Sequence, residues 1–380
     1  MTPREMLARL VAFPTVSRDS NLPLIDFAED WLRGHGAAVT RVPAEDAPKS
    51  NLYATIGPME PGGVVLSGHT DVVPVDGQPW DSDPFTLTER DGRLHGRGAV
   101  DMKAFCAAAL ALVPEMKQLK RPIHLAFSYD EEVGCAGAPP MIRELCARVP
   151  RPAAVIVGEP TGMRVATAHK GIAVYRTVVT GHEAHSSQTH LGVSAVTTGA
   201  RLIAHLDDIA RELSAAASPG SGFEPPWTTV HVGMVRGGTA INIISRQCEI
   251  HWEVRALPGE DPRVVAERLA RYAEDELLPE MRRVAPETGI ETAVLMSAPP
   301  LRDEPDSAAA ELSRALTGDG TAFQVPFATE AGLFQEIGLP TVVCGPGSID
   351  QAHKPNEYIT VEQLDEGAAF LRRLIAHLST

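Results

Sequence analysis

The sequence predicts an α/β fold in which a mostly parallel sheet, covered by helices, is interrupted by a smaller α+β domain. Up to about residue 174, short apolar segments alternate with long helical ones, which is typical of a parallel sheet. After that point polar and apolar residues alternate, as in antiparallel strands with one buried face. With 380 residues, the chain is long enough for two hydrophobic cores.

The first part of the chain contains three predicted helices and three predicted strands. Helical periodicity covers residues 3–12, 23–34 and 101–119. Short apolar runs, partly of β-branched residues, predict strands at 63–67, 123–129 and 153–157. Strands that alternate with long helices indicate a parallel sheet with helices on both faces.

The middle part is predicted to be an inserted α+β domain. Alternating segments predict antiparallel strands from residue 174 and at 228–238 and 247–257. Helices are predicted at 192–214 and 261–278, and a Gly/Pro/Ser-rich loop at 218–226. After about residue 290, helices and an apolar strand at 339–345 show the same pattern as the first part of the chain. The predicted domains are therefore 1–174 and 290–380 for the first, and 175–289 for the insert.

Charge and cysteine content exclude several classes of function. The formal net charge is −15, whereas nucleic acids and anionic membranes require a basic surface. The five cysteines are scattered without a Cys-x-x-Cys pair, so neither a disulfide framework nor a thiolate zinc site is expected. The longest apolar run, AFCAAALALV, is too short to span a bilayer. The N-terminus does not read as a signal peptide, and the cytoplasm is the expected location.

Polar side chains recur where the predicted apolar strands end. The carboxyl ends of strands in an open α/β sheet border one crevice, so these groups are expected to converge there. Seven side chains stand at a strand end, in the loop that follows, or at the start of a helix: His69, Asp71, Asp101, Glu131, Glu132, Glu159 and His353.

Two imidazoles and several carboxylates without cysteine predict a site for Zn²⁺, Co²⁺ or Mn²⁺. The set matches what two metal ions about 3.5–4 Å apart need, with one carboxylate between them. Each residue alone also has a plainer interpretation: Asp101 as a helix N-cap, His69 as a loop histidine, and Glu131–Glu132 as a solvated turn. Competing motifs are absent, since the sequence has neither Gly-x-Ser-x-Gly nor His-Glu-x-x-His.

Seven segments of the chain are, in order, SGHTDVVPVD, LHGRGAVDMK, SYDEEVGCAGA, VGEPT, GHEAHSS, GGTAINII and QAHKPNEYI. They resemble segments that occur in the same order in the M20 family of dinuclear metallopeptidases and deacylases. The resemblance implies that His69 and Glu159 bind one metal ion, that Glu132 and His353 bind another, and that Asp101 bridges both. Zinc is favoured over cobalt or manganese.

The same resemblance implies roles for five further residues. Glu131 corresponds to the general base, and Asp71 orients His69. The insert corresponds to a lid and dimerisation domain, whose His185 reaches the neighbouring site of a homodimer and helps to hold the oxyanion. Asn242 and Arg255 correspond to lid residues that hold the carboxylate of the substrate.

Within the family, the chain most resembles the branch that hydrolyses N2-acetyl-L-ornithine, a small N-acyl amino acid. FATEAGLF (327–334) resembles a signature of that branch, although Ala328 replaces its usual glycine. Glu330 is the candidate contact for the δ-amine, or else an acid favoured at a helix start. The alternatives are a related hydrolase acting on another N-acyl amino acid, such as succinyl-diaminopimelate, or on a dipeptide, and a non-catalytic binding protein.

Overall fold

Helices and strands alternate along the chain in a computed structural model that describes residues 1–217 and 220–380. The first two residues of the predicted 218–226 loop lie outside the described residues. The helices are α1 (Pro3–Val11), α2 (Leu22–Gly34), α3 (Lys103–Leu112), α4 (Ala138–Arg148), α5 (Ala195–Ala215), α6 (Arg263–Tyr272), α7 (Leu278–Val284), α8 (Ala308–Thr317), α9 (Ala331–Glu336) and α10 (Val361–Leu378). The strands are β1 (Ala38–Pro43), β2 (Ser50–Ile56), β3 (Val64–His69), β4 (Thr88–Arg90), β5 (Arg93–His95), β6 (Ile123–Ser128), β7 (Ala154–Pro160), β8 (Val165–His169), β9 (Gly171–Thr180), β10 (Thr229–Gly237), β11 (Gln247–Ala256), β12 (Gly289–Ala298), β13 (Ala322–Val325), β14 (Thr341–Gly345) and β15 (Tyr358–Thr360).

The chain divides into two compact units. The first unit comprises Met1–His169, Leu301–Gln324 and Thr329–Thr380. The second comprises Lys170–Pro300 and Val325–Ala328. The insert therefore runs from Lys170 to Pro300 in its main segment, where the sequence predicts 175–289.

The main sheet has the strand order β1-β2-β6-β3-β7-β14-β8-β13. Its centre is parallel, because β3 pairs in parallel with β6 and β7, and β14 pairs in parallel with β7. Strands β1 and β2 extend it in antiparallel fashion. Every residue of β3, β6 and β7 is buried, as expected for apolar strands that are covered on both faces. The predicted α/β fold with a mostly parallel sheet is confirmed.

Helix α3 is shorter than its predicted range of 101–119. It begins at Lys103 and gives way after Leu112 to a short 3₁₀ turn that contains Pro114, a residue that cannot donate the next helical hydrogen bond. All ten of its residues are buried. Its N-cap residue is Met102, and no side chain caps its first turn. Asp101 is therefore not the N-cap of the helix, and its carboxylate is available for other partners.

The second unit is built on a four-stranded antiparallel sheet in the order β10-β11-β9-β12. Alternate residues of β11 are buried, which agrees with the alternating pattern of its sequence. Tyr175 and Trp252 stack within its core with ring centroids 4.3 Å apart. Strand β12, which the sequence analysis did not predict, pairs with β9 and extends this unit to Pro300.

No helix in the two described ranges combines the length and the hydropathy needed to cross a bilayer.

Candidate metal centre

The structure brings the polar side chains of several strand ends together within the first unit. His69 is the last residue of β3, and Glu159 lies near the end of the neighbouring strand β7. Glu131 and Glu132 follow β6, the strand on the other side of β3. Because these strands are parallel, their carboxyl ends meet at one edge of the sheet, as the sequence predicts.

Asp101 lies between two imidazoles. Its Oδ1 is 3.1 Å from Nε2 of His69, and its Oδ2 is 3.0 Å from Nε2 of His353. Each carboxylate oxygen therefore faces a different histidine. This is the arrangement that a carboxylate needs in order to share its two oxygens between two cations.

The remaining carboxylates approach one or the other histidine. Nε2 of His353 is 3.0 Å from Oε2 of Glu132, and Nε2 of His69 is 3.5 Å from Oε1 of Glu159. Candidate ligand atoms lie within 4.8 Å of one another in two overlapping groups: His69, Glu131 and Glu159, and His69, Asp101 and Glu132.

Asp71 connects His69 to the loop after β6. Nδ1 of His69 is 2.9 Å from the backbone oxygen of Asp71 and 3.6 Å from its carboxylate. The carboxylate accepts hydrogen bonds from the backbone N–H groups of Glu131 and Glu132, at 3.1 and 3.3 Å, and from the hydroxyl of Ser17 at 2.7 Å. A donor bond from Nδ1 leaves Nε2, the atom that faces Asp101, free to bind a metal.

The carboxyl groups of the cluster are buried beside one another. Burial, together with the charges of Glu132, Asp101 and Asp71, raises the pKa of Glu131 to about 8, against the opposing effect of His69. Burial and the Asp101 charge raise the pKa of Glu132 to about 7. The pKa of Glu159 lies well above its ordinary value, because it is buried and faces Asp101.

The interactions between Asp101 and the two imidazoles lower the pKa of the carboxyl group and raise the pKa of both imidazoles. Burial opposes ionisation of Asp101, but its hydrogen bonds with His353 and His69 hold its pKa below the ordinary value. Burial likewise opposes the cationic form of His69, yet Asp101 and Asp71 raise its pKa well above 6.5. Hydrogen bonds to Asp101 and Glu132 raise the pKa of His353 to about 10.

The donor set fits divalent cations. It consists of imidazole nitrogens and carboxylate oxygens, which are the ligands that Zn²⁺, Co²⁺ and Mn²⁺ take in sites without thiolates. The cluster contains more carboxylates than imidazoles, and buried carboxylates of like charge require positive charge to be stable. Cations bound among these side chains would supply it.

The three expected lid residues belong to the second unit. His185 is exposed, and its Nδ1 lies 2.8 Å from the hydroxyl of Ser187. Asn242 is also exposed, and a backbone hydrogen bond joins its carbonyl to the N–H of Ser186, so His185 and Asn242 lie on adjacent segments. Arg255, on β11, is partly exposed and contacts both carboxylate oxygens of Glu253, at 3.1 and 3.3 Å.

Glu330 lies in the first unit, immediately before α9, and its whole residue is only 1% exposed. Ser67 and Ser128 each donate a hydroxyl hydrogen bond to one of its carboxylate oxygens, at 2.5 and 2.8 Å. Burial raises the pKa of Glu330, against these two hydrogen bonds. The structure thus places this carboxylate among buried serines, although the sequence analysis expects it to face a cationic substrate.

Glu357 is a buried residue of the site that the sequence analysis did not single out. One carboxylate oxygen accepts from the backbone N–H groups of Val100 and Asp101, at 2.9 and 3.3 Å. The other pairs with the buried Arg97 at 2.7 Å. In the sequence, the one sign of this residue is its place four residues after His353. A glutamate in such a place is typical of an exposed loop, so the pattern alone did not identify it.

Comparison with known proteins identifies close relatives over nearly the whole chain. Residues 65–377 match the family model described as peptidase family M20/M25/M40. The chain is 36% identical over 387 residues to an acetylornithine deacetylase of Myxococcus xanthus, covering 98% of this chain and 97% of that one. It is 34% identical over 381 residues to an acetylornithine deacetylase of Proteus mirabilis, covering 98% and 95%.

Solved structures share the fold at lower identity. An M20 family metallo-carboxypeptidase from Sulfolobus solfataricus superposes with a TM-score of 0.78 at 19% identity, covering 99% of both chains. A Bacillus subtilis protein described as a dinuclear metal binding peptidase from the M20 family superposes with a TM-score of 0.65 at 17% identity, covering 99% of this chain and 97% of that one. At these identities the likeness establishes the common fold.

Proposed function

Because the chain belongs to the peptidase family M20/M25/M40, we propose that this hydrolase converts N2-acetyl-L-ornithine to L-ornithine and acetate. The observation that carries the reaction is the cluster around the buried Asp101, in which carboxylates converge with the buried His69 and the half-exposed His353. The substrate is supported by identities between 32% and 36% with four acetylornithine deacetylases. We assign the reaction to arginine biosynthesis in the cytoplasm.

We propose that the cluster holds two divalent cations, with zinc as the first choice and cobalt or manganese as alternatives for the same ligands. His69 and Glu159 would hold one ion, Glu132 and His353 would hold the other, and Asp101 would contact both. When bound, the cations supply Lewis acidity, which polarises the amide carbonyl and lowers the pKa of a nearby water.

Glu131 is the proposed general base. It would accept a proton from the water whose oxygen bonds to the carbonyl carbon, and would give that proton to the amine nitrogen as the C–N bond breaks. The burial of its side chain, 11% exposed, supports this role. Among the described residues, the one side-chain hydrogen bond that it accepts comes from the thiol of Cys135, at 3.5 Å. A carboxylate without a Lys or Arg partner remains available for proton transfer.

We assign the lid and dimerisation roles to the second unit. His185 would donate a hydrogen bond to the developing oxyanion in the site of the partner protomer of a homodimer. Asn242 and Arg255 would hold the carboxylate of the substrate. The exposure of His185 and Asn242 supports these roles. The pairing of Arg255 with Glu253 implies that a substrate carboxylate would compete with that side chain.

A substrate panel tests the proposed reaction. Amine release by zinc-loaded protein would be measured with N2-acetyl-L-ornithine, N-acetylmethionine, N-succinyl-diaminopimelate and several dipeptides. The proposal predicts the highest kcat/KM for N2-acetyl-L-ornithine. A higher value for another member of the panel would keep the hydrolytic mechanism and reassign the substrate. Binding without turnover of any member would indicate the non-catalytic alternative.

A further inference from the structure

Glu330 forms a buried bridge between two neighbouring strands of the main sheet. Ser67, in β3, donates to its Oε1 at 2.5 Å, and Ser128, the last residue of β6, donates to its Oε2 at 2.8 Å. Both serines are completely buried. One carboxylate therefore joins two strands that come from separate parts of the sequence.

The two serines stand next to the residues of the candidate metal centre. Ser67 precedes His69 by two residues, so the two side chains share one face of β3. Strands β3 and β6 pair in parallel with His69 opposite Ser128. Glu131 and Glu132 follow Ser128 by three and four residues. A displacement of one strand end against the other would therefore move His69 relative to these two carboxylates.

The surroundings of Glu330 are unsuitable for a cationic ligand. Its side chain has almost no exposed surface, and each of its oxygens already accepts a hydrogen bond. A buried carboxylate is stable only when hydrogen bonds or opposite charge replace its hydration. In this structure the two serine hydroxyls fill that requirement, so the carboxylate acts as a part of the protein interior.

We propose that Glu330 is a positioning residue, which holds the ends of β3 and β6 together and so orients the metal ligands that they carry, and that it does not contact the substrate side chain. The inference rests on the proposed function, because it assigns the residue a role in the same site. It replaces the expectation that Glu330 recognises the δ-amine of the substrate.

Glu330→Gln and Glu330→Ala separate the two roles. The amide of glutamine accepts a hydrogen bond from one serine and donates one to the other, so Glu330→Gln is expected to stay within about threefold of wild-type kcat/KM. Glu330→Ala removes the bridge, and its kcat is expected to fall about 10- to 100-fold, as for other residues that support metal ligands. Glu336→Gln, at the exposed last residue of α9, the helix that Glu330 precedes, is the matched control for loss of a carboxylate.

Substrate selectivity distinguishes a positioning role of Glu330 from a role in recognition of the substrate side chain. N2-acetyl-L-ornithine has a cationic side chain, whereas N-acetylmethionine has a neutral one of similar length. A positioning role predicts that Glu330→Ala lowers kcat for both substrates by the same factor. A KM increase of tenfold or more in Glu330→Gln, confined to the cationic substrate, would overturn the proposal.

Zinc affinity, measured by titration calorimetry on the metal-free protein, tests the proposal without any substrate. Glu330→Ala is expected to bind zinc about 10- to 100-fold more weakly, while Glu330→Gln and the Glu336 control are not. If Glu330→Ala does not fold, Ser128→Ala carries the same test, because it removes one of the two donors. Unchanged zinc affinity in the folded variant would overturn the positioning role, whatever the preferred substrate of the enzyme.

Discussion

Glu131 and Glu132 are adjacent in the sequence, but their side chains have different surroundings. Glu132 is directed at His353, with 3.0 Å between its Oε2 and the imidazole Nε2. The Oε2 of Glu131 is 4.0 Å from Nε2 of His69, and its Oε1 accepts a hydrogen bond from Cys135. The first geometry suits a metal ligand, and the second suits a base. Asp71 holds both residues through their backbone N–H groups.

Glu131→Gln is expected to retain both cations and to lose most of its turnover. The amide cannot accept the proton of water, and general-base catalysis is worth about 10²- to 10⁴-fold in rate. Steady-state kcat and metal content per protomer would be measured on the same sample. Loss of the bound metal in this variant would contradict the assignment of Glu131 as the base and indicate a ligand instead.

The residues of the candidate metal centre could be proposed from the sequence because each one follows a recognisable apolar strand or stands in a distinctive motif. The surroundings of Glu330 could not be predicted, since its partners Ser67 and Ser128 lie more than 200 residues away in the sequence. Glu357 was missed for a similar reason, because its partners Val100 and Arg97 meet it only in the folded chain. Long-range hydrogen bonds leave no periodic signal.

At the level of single elements, strands with an apolar run or a regular polar–apolar alternation were predictable from the sequence, and strands with neither pattern were not. β3, β6 and β7 are apolar runs, and all three were predicted. β12 is largely exposed and lies at the edge of its sheet, so its sequence has no alternating pattern of burial. β2 is fully buried, but its polar start, Ser50–Asn51, hid it from recognition.

A buried histidine links strands β2 and β6. His124 is completely buried, and its Nδ1 lies 2.9 Å from the hydroxyl of its cross-strand neighbour Thr55. Its Nε2 has no hydrogen-bond partner among the described residues. Burial lowers the pKa of His124 to about 4. Protonation of this imidazole therefore favours the unfolded chain over the folded one.

This preference predicts a pH dependence of folding. The unfolded chain takes up the proton near pH 6.5 and the folded chain near pH 4. The stability that depends on a neutral His124 is therefore fully present above pH 6.5 and is lost as the pH falls towards 4. The loss is about 3 kcal/mol over that interval. Free energies of unfolding in urea, measured from about pH 7.5 to pH 4.5, should fall less steeply for His124→Asn, which can keep the bond to Thr55. Equal slopes for variant and wild type would contradict the prediction.

At the scale of the whole molecule, the proposed homodimer makes a prediction about mixed protomers. Glu131→Gln and His185→Ala would each inactivate a homodimer. A mixed dimer would contain one site with both an intact Glu131 and an intact His185 from the partner protomer. Random exchange should restore about one quarter of the wild-type activity. No recovery in a verified mixed dimer would contradict catalysis across the interface.

Removal of the cations is expected to lower stability as well as activity. The buried carboxylates lose the positive charge that balances them, and a ligand at 100 times its Kd stabilises the folded state by about 2.7 kcal/mol. Chelation should therefore abolish turnover and lower the Tm, and added zinc or cobalt should restore both. Full activity of protein shown to be metal-free would contradict a metal-dependent reaction.

The positions of the bound cations would show whether two ions share the Asp101 carboxylate. Crystals of zinc-loaded protein, measured on both sides of the zinc absorption edge, would reveal the ions by anomalous scattering. Two peaks are expected about 3.5–4 Å apart, on either side of the Asp101 carboxylate. One peak is expected beside His69 and Glu159, and the other beside Glu132 and His353. A single peak, or zinc bound away from Asp101, would contradict a shared two-metal centre.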